Sequence, residues 1–256
     1  MPASGSPTSD DLGRPVEPPA AVGRVVSLVP SLTESVAATA PGLLVGATDW
    51  CTHPAGLDVA RIGGTKNPRI ADVLDLHPDV VVANDEENRP VDLDALRAAG
   101  VAVWVTAPTT VTESIRSLDR MLRFGCRLDR PAWLDAAEQA WAELRPLPTQ
   151  RPAVVPIWRR PWMALGRDTF AGDMLSRLGV ANVLRSHSER YPRIELDELP
   201  PYDLVVLPDE PYAFGPDDGP EAFAGKESRC VSGRHLTWYG PSLVEAPSVL
   251  RAQLYS

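Results

Sequence analysis

The chain has 256 residues, of which 44% are hydrophobic, and its formal net charge is −9. It can therefore bury a full core, as one large domain or as two small ones. The acidic balance argues against nucleic acid as a partner, because phosphate binding needs concentrated Lys and Arg. The three cysteines, Cys51, Cys126 and Cys230, lack CxxC spacing, so we predict neither a disulfide framework nor a zinc ribbon.

The N-terminal segment, residues 1–21, is rich in Pro, Ser, Gly and Asp, and we predict a disordered tail. It has no basic region followed by an apolar core and no lipidation cysteine, so we expect a cytoplasmic protein. The chain has no run of 18 apolar residues, and we predict no membrane insertion.

The first lobe, residues 22–108, alternates strands and helices. Apolar, β-branched runs predict strands at residues 24–28, 44–47, 80–83 and 101–106. Ser31 stands three residues before Glu34, the capping-box spacing that begins a helix. Further helices are predicted at residues 70–76 and 91–99, the second closed by Gly100. Strands separated by helices indicate parallel pairing.

The middle of the chain, residues 109–150, differs because it contains no predicted strand. Residues 111–124 and 131–144 each have an apolar face at helical spacing, which includes Leu118 and Leu122 in the first and Leu134 and Trp141 in the second. We predict that these helices and the Pro-rich linker after them bridge two lobes.

The second lobe, residues 151–256, repeats the alternation. Strands are predicted at residues 154–158, 163–166 and 204–207, a helix at 169–178 closed by Gly179, and a closing helix at 241–254. The run LHPDVVVANDEEN at 76–88 has an echo in LPPYDLVVLPDEPYAF at 199–214. The pattern predicts an α/β fold of two lobes with parallel sheets joined by a helical bridge, with a ligand cleft between the lobes.

No catalytic or metal-binding signature is present. The chain lacks GxSxG, HExxH, a P-loop and GxGxxG, and the run from Gly63 to Lys66 lacks the upstream glycine of a phosphate loop. His53, His77, His187 and His235 are scattered without ligand spacing. We therefore predict no catalytic residue, no metal site and no resident cofactor.

Polar residues follow the strand at 80–83, in the run Asp85, Glu86, Glu87 and Asn88. Open α/β sheets place ligand sites at this end of a strand, so the run is a candidate binding loop. A solvated acidic loop without a ligand is the alternative.

Aromatic residues cluster at the predicted strand ends. The set comprises Trp50, Trp104, Trp158, Trp162, Tyr212, Phe214, Trp238 and Tyr239. Such side chains can line an apolar cleft and offer a polar handle, although core packing would explain any one of them. Arg159, Arg160 and Arg167 would suit an anionic ligand or form a solvated loop.

Several motifs, in order, are similar to those of the class III substrate-binding proteins, the helical-backbone metal receptors that include cobalamin- and siderophore-binding components of ABC importers. They are RVVSLVPS at 24–31 with Thr33 and Glu34, GATD at 46–49, IGG at 62–64, and LHPDVVV at 76–82. The chain looks most like the branch that carries GTKNP at 64–68 and EEN at 86–88.

This resemblance implies two Rossmann-like lobes joined by a long, rigid helical backbone, with a ligand held in a shallow cleft that closes little. With the loop positions above, it gives the candidate ligand-binding residues Trp50, Thr65, Lys66, Asn67, Glu86, Glu87, Asn88, Trp158, Arg159, Trp162, Tyr212, Phe214, Trp238 and Tyr239. The acidic positions that dock such proteins on a permease fall near Ala71 and Gly240, with Asp72 and Glu245 close by. Neither Ala71 nor Gly240 is acidic, so we do not predict permease docking.

We expect a non-catalytic protein that binds a small-molecule metal chelate, a corrinoid or another bulky one. Three alternatives stay open at this point. The first is an exported importer receptor with a mis-assigned start. The second is an enzyme that acts on a metal chelate or tetrapyrrole with Glu86 or Glu87 as acid–base, and the third is an interaction module that has lost its ligand.

Overall fold

A computed structural model describes residues 8–145 and 147–256, which form two compact units. Unit 1 contains the described residues up to Pro108, together with Ser114–Asp135 and Tyr239–Pro241. Unit 2 contains the described residues of Thr109–Glu113, Ala136–Trp238 and Ser242–Ser256. The predicted fold class is confirmed: the protein is α/β, with a parallel sheet in each unit.

Unit 1 is built on a five-stranded parallel sheet with strand order β3-β2-β1-β4-β5. The strands are β1 Val25–Ser27, β2 Leu44–Ala47, β3 Ala60–Arg61, β4 Val80–Asn84 and β5 Ala102–Thr106. The central strands β1 and β4 are buried along their whole length, with Val26 opposite Val81. Parallel strands covered on both faces read as continuous apolar runs, which is why the sequence revealed them.

Unit 1 also contains α1 Pro30–Thr39, α2 Ile70–Asp75 and α3 Pro90–Ala98. The capping-box prediction for α1 was wrong, because Val29 is the N-cap residue and makes no side-chain cap. Pro30 occupies the first turn, where its missing N–H costs nothing. Ser31 lies inside the helix, and the Thr33 hydroxyl bonds to the Val29 carbonyl oxygen at 3.0 Å.

The helical segment consists of α4 Val111–Arg120, a π-helical turn Met121–Gly125 and α5 Ala132–Ala142. Residues 111–144 contain no strand, as the sequence predicted. Leu118, Leu122 and Leu134, which we placed on the apolar faces, are fully buried. The boundary between the units falls within α5, between Asp135 and Ala136.

Unit 2 is built on a four-stranded parallel sheet with order β11-β10-β6-β9. Its strands are β6 Arg151–Val154, β9 Val180–Asn182, β10 Leu204–Pro208 and β11 Glu227–Val231, and β7 Pro156–Trp158 pairs with β8 Met163–Ala164 in a separate antiparallel ribbon. The single strand predicted at 154–158 is therefore wrong. The chain leaves the parallel sheet after Val154 and enters the ribbon at Pro156.

The helices of unit 2 are α6 Phe170–Arg177, α7 Gly233–Thr237 and α8 Ala246–Tyr255. Thr169 caps α6 by accepting a hydrogen bond from the Gly172 N–H at 3.2 Å. Gly179 ends this region at φ 85°, a left-handed conformation that favours glycine. The predicted closing helix at 241–254 is interrupted, because Pro241–Val244 is a 3₁₀ turn that precedes α8.

The N-terminal segment corrects the prediction of a disordered tail at residues 1–21. Residues 1–7 lie outside the described residues, but residues 8–21 pack on unit 1. Ser9 and Pro15 form an antiparallel bridge, and the buried Asp10 carboxylate accepts from the N–H groups of Leu12 and Arg14 at 3.0 and 2.9 Å. The prediction failed because the composition of residues 8–21 is typical of a disordered segment, whereas hydrogen bonds to a carboxylate fix their conformation.

None of the helices in the described ranges is both long enough and apolar enough to cross a membrane.

Candidate functional site

In unit 1, the loop after β4 is held by two asparagine amides. Asn88 Oδ1 accepts from the Asn84 N–H at 2.9 Å, and Asn88 Nδ2 donates to the carbonyl oxygens of Leu28 and Thr65 at 3.3 and 3.0 Å. Asn84 Oδ1 accepts from the N–H groups of Glu86 and Glu87 at 2.8 and 3.0 Å. Asn88 is buried, so this candidate ligand residue fixes the loop, with its amide already used inside the protein.

Tyr239 lies in the same network although it is far away in sequence. Its hydroxyl is 2.6 Å from Asn84 Nδ2 and 2.8 Å from the Thr106 hydroxyl oxygen. The ring is buried, and burial raises the pKa of the Tyr239 hydroxyl above its ordinary value. The neutral Tyr239 hydroxyl therefore connects the ends of β4 and β5 through hydrogen bonds.

A second loop of unit 1, residues 63–68, contains the candidates Thr65, Lys66 and Asn67. Gly63 and Pro68 form an antiparallel bridge, and Gly63 has φ 93°. A Cβ at Gly63 would lie 3.0 Å from the Asn67 carbonyl oxygen, so the tight turn requires glycine. Thr65 is half-buried, whereas Lys66 and Asn67 are exposed.

Trp50 is the most exposed large apolar side chain in the described ranges, with 67% of its surface accessible. A Cβ added at Gly64 would lie 3.4 Å from the indole nitrogen, so the ring lies beside the backbone of the 63–68 loop. The Asp49 N–H, next to Trp50 in the chain, donates to the Gly63 carbonyl oxygen at 2.8 Å. This geometry brings Trp50 and the 63–68 loop together.

Glu87 and Lys66 connect the two loops of unit 1. Lys66 Nζ donates to the Glu86 carbonyl oxygen, and the Thr65 hydroxyl donates to the Glu87 carboxylate. Desolvation of this carboxyl group raises the pKa of Glu87 although the residue as a whole is exposed, and the nearby Glu86 adds to the rise. The predicted set Trp50, Thr65, Lys66 and Glu87 is thus brought together on one surface of unit 1.

In unit 2, aromatic side chains pack between the β7–β8 ribbon and the loop after β10. Tyr212 lies edge-on to Trp158 with ring centroids 5.8 Å apart, and its ring is 4.6 Å from that of Phe214. Trp162 stacks on Phe214 at 5.9 Å with an interplanar angle of 1°. Phe214 is buried in this cluster, but Trp158 at its edge is 43% exposed.

Arg159 is neutralised inside unit 2. Its guanidinium forms ion pairs with Asp218 and Glu221 and lies 5.3 Å from the Trp162 ring centroid. The Tyr212 hydroxyl donates to Asp218 at 2.7 Å. This hydrogen bond, with Arg159 adding to it, holds the pKa of Asp218 below its ordinary value. Arg159 therefore fixes the aromatic cluster and is already paired with anions of the protein.

Trp238 is also buried, and its indole N–H donates to the Glu210 carboxylate at 2.9 Å. Desolvation raises the pKa of Glu210, and the indole hydrogen bond opposes that rise. Trp238 is the residue before Tyr239, but it belongs to unit 2 whereas Tyr239 belongs to unit 1.

The strand-end aromatics thus divide by exposure. Trp50 and Trp158 are exposed, and Trp162 and Tyr212 are half-buried. Core packing accounts for the fully buried Trp104.

The acids close to the permease-docking positions form ion pairs within the protein. Asp72 is paired with Arg69, and Glu245 is paired with His235 and Arg234.

Asn84, Asp218 and Glu210, which organise the loops described above, were not among the predicted site residues. Asn84 ends a buried valine strand at the position where α/β sheets present polar groups, and this signal could have identified it. Asp218 and Glu210 gain their roles only from partners in other loops, Arg159 and Trp238.

The comparisons with known proteins agree with this architecture. No family model matches the chain. The chain is similar to the vitamin B12-binding protein of Vibrio cholerae serotype O1, with 23% identity over 184 residues that cover 69% of this chain and 66% of that protein. The vitamin B12-binding protein of Photorhabdus laumondii is 24% identical over 183 residues, with the same coverage of 69% and 66%. The match spans just under two thirds of the length of these relatives.

Solved structures cover nearly the whole chain. Helicobacter pylori CeuE with Ni(II) bound has a TM-score of 0.80 and 14% identity, covering 98% of this chain and 89% of that chain. The periplasmic vitamin B12-binding protein BtuF of Vibrio cholerae has a TM-score of 0.71 and 17% identity, covering 91% and 96%. The chain has the fold of the class III substrate-binding proteins. The resemblance seen in the sequence motifs is confirmed, and identities this low establish the fold alone.

Proposed function

We propose that this chain is a non-catalytic binding protein for a corrinoid or another bulky metal chelate. The observation that carries the proposal is an exposed indole in each unit, Trp50 on a loop of unit 1 and Trp158 at the end of β7 in unit 2. Tryptophan is enriched at interfaces, because its ring offers a large apolar face together with a hydrogen-bond donor.

The chemistry of an indole suits a flat conjugated ligand. Aromatic stacking contributes on the order of 1 kcal/mol beyond the buried area. The backbone around Trp50 is fixed by hydrogen bonds to the 63–68 loop, which Asn88 holds in turn, and Trp158 is supported by the Tyr212 ring. Since the backbone that carries both indoles is bonded before a ligand arrives, the ordering entropy that opposes binding is reduced.

The metal would be held by the chelator of the ligand. Within residues 8–145 and 147–256, no group of three or more His, Cys, Asp or Glu side chains is placed to hold a metal ion. Three of the named relatives support this ligand class, because they are described as vitamin B12-binding proteins. Permease docking is not part of the proposal.

The experiment is isothermal titration of the full chain with cobalamin, haem and a ferric siderophore. We expect Trp50→Ala and Trp158→Ala each to weaken the binding of the accepted chelate by at least about tenfold, which is ~1.4 kcal/mol. Val91→Ala, at a 65% exposed position on α3, is the matched apolar control and should bind like the wild type. Thermal melts of all variants establish that each is folded.

Two outcomes would overturn the proposal. Absence of binding to all three chelates by the wild-type protein would favour an interaction module. Turnover of a bound chelate that Glu87→Gln abolishes would favour an enzyme.

The compartment is a separate proposal. We expect a cytoplasmic protein, whereas several solved structures similar to this chain are described as periplasmic. Fractionation of native cells, with an antibody against the chain, tests the location.

A further inference from the structure

We infer that this protein selects chelates with a neutral or cationic periphery over chelates that carry several carboxylates. The inference rests on the proposed function and specifies the ligand class of the same site. It comes from the charges that surround the exposed indole of unit 1.

Four carboxylates belong to the loops beside Trp50, those of Asp49, Asp85, Glu86 and Glu87. Asp49 precedes the indole in the chain and is exposed. Glu86 and Glu87 belong to the loop that Asn88 ties to Thr65, and the two glutamates interact electrostatically. Of these acids Asp49, Asp85 and Glu87 are exposed, so a ligand that binds at Trp50 would lie in their negative potential.

The cations of the same loops are already bonded to the protein. Lys66 donates to the Glu86 carbonyl oxygen, and Arg61 donates to the carbonyl oxygens of Thr48 and Cys51, both at 2.9 Å. Arg69 is paired with Asp72. Arg61 and Lys66 are exposed, and since these hydrogen bonds go to neutral carbonyl oxygens, their charges offset two of the four acids and leave these loops with an excess of negative charge.

The aromatic surface of unit 2 offers no strong compensation. Arg159 is shared by two carboxylates, Asp218 and Glu221, and only 16% of its side chain is exposed. Arg160 is exposed and attracts Asp218, so it offsets one of those two acids. The charge near Trp158 is therefore close to balanced, and the acidic loops of unit 1 decide the preference.

The test compares two corrinoids that share the ring and the axial ligands and differ mainly in peripheral charge, since the cobinamide carries only an additional aminopropanol on one amide. Dicyanocobinamide carries amide side chains, and dicyanocobyrinic acid carries carboxylates on the same ring with the same axial cyanides. At low salt we expect the full chain to bind the cobinamide at least about tenfold more tightly. At about 1 M salt, where the Debye length is ~3 Å, the two affinities should approach each other.

A charge-matched pair of variants assigns the preference to unit 1. The double variant Glu86→Gln/Glu87→Gln should reduce the ratio of the two affinities by at least about threefold, through tighter binding of the carboxylated corrinoid. The double variant Asp197→Asn/Glu198→Gln removes the same net charge from an exposed 3₁₀ turn of unit 2 and should leave the ratio unchanged.

The outcomes separate this inference from the proposed function. Equal affinity for the two corrinoids, or tighter binding of the acid form, would overturn the charge preference while the binding function stands. An equal effect of both double variants would overturn the assignment to the loops of unit 1. Absence of binding to either corrinoid would overturn the corrinoid-binding function, and this inference with it.

Discussion

The carboxyl group of Glu87 is under opposing influences at the edge of the candidate site. Desolvation raises its pKa, and the negative charge of Glu86 acts in the same direction. The charge of Lys66 and the hydrogen bond from Thr65 favour the ionised form but do not prevail. A carboxyl group whose pKa is raised by folding destabilises the folded state when it is ionised.

Replacing Glu87 with Gln should therefore stabilise the protein in a pH-dependent manner. Above the folded-state pKa the wild-type carboxyl is charged and opposes folding. As the pH falls through that pKa, towards the ordinary value of 4.5, the carboxyl takes up its proton and the opposition disappears. We expect Glu87→Gln to raise the melting temperature near neutral pH and to have little effect in acid. A lower melting temperature at neutral pH would contradict this reading, and Glu198→Gln on an exposed turn is the control.

Trp141 is a buried tryptophan with a structural role, in contrast to the exposed Trp158. It lies on α5, it is 5% exposed, and its N–H donates to the Leu243 carbonyl oxygen at 3.0 Å. Trp141→Ala removes both the packing and the hydrogen bond. We expect a loss of roughly 3 kcal/mol in the free energy of unfolding, measured by urea titration. Trp158→Ala at its 43% exposed position should cost much less stability, and a reversed order would contradict the division into core and binding tryptophans.

At the scale of elements, the N-terminal segment covers an edge of the sheet. Strand β5 is the last strand of unit 1, and an open edge is prone to pair with other chains. The Asp11 N–H donates to the Val105 carbonyl oxygen at 3.1 Å, and the Asp11 carboxylate accepts from the Ala107 N–H at 3.0 Å. The same carboxylate accepts from the Ser117 hydroxyl and pairs with Arg120 at 2.7 Å, so one acid ties the segment to β5 and α4.

Asp11→Ala should release this segment from the sheet edge. It leaves the donors of Ala107, Ser117 and Arg120 without their acceptor, and we expect a loss of about 1–3 kcal/mol in the free energy of unfolding. Amide hydrogen exchange along β5 should become faster. Asp72→Ala is the control, since its pair with Arg69 is solvent-exposed and such pairs contribute ~0–1 kcal/mol. Unchanged exchange in Asp11→Ala would show that the segment does not protect the edge.

At the scale of the whole molecule, neither unit is one continuous stretch of chain. Unit 1 takes Tyr239–Pro241 from near the C-terminus, and unit 2 takes Thr109–Glu113 from before α4. The lobe boundaries predicted at 108 and 151 therefore leave Tyr239 outside the first lobe, although its hydroxyl bonds to Asn84 and Thr106. A fragment ending at Pro108 would lack Tyr239 and both of these hydrogen bonds.

A ligand that binds the folded chain alone should stabilise the whole molecule. At a chelate concentration about one hundred times the Kd, binding adds ~2.7 kcal/mol to the free energy of unfolding. We therefore expect cobalamin or cobinamide to raise the melting temperature of the wild type in differential scanning fluorimetry. The rise should be smaller in Trp50→Ala at equal ligand concentration, and an equal rise in both proteins would place the chelate elsewhere.

The sequence by itself determined the elements and the class of fold. The valine runs of β1 and β4 are buried on both faces, so their apolar character is continuous and legible in the chain. The apolar faces of the two middle helices, with Leu118 and Leu122 in the first and Leu134 in the second, could be predicted as well, because helical periodicity is a local property. Motif order then indicated the family to which the fold corresponds.

The tertiary structure alone decided which candidates are free to meet a ligand. Asn84 and Tyr239 are separated by 155 residues, Arg159 and Asp218 by 59, and Asp11 and Arg120 by 109. Local sequence specifies none of these pairs, because the sequence around a polar side chain does not show whether its hydrogen bonds go to water or to a residue far away in the chain. Aromatic residues at strand ends are likewise alike in sequence. Tertiary packing distinguishes them: Trp104 and Phe214 are buried by neighbouring residues, whereas Trp50 and Trp158 remain exposed to solvent.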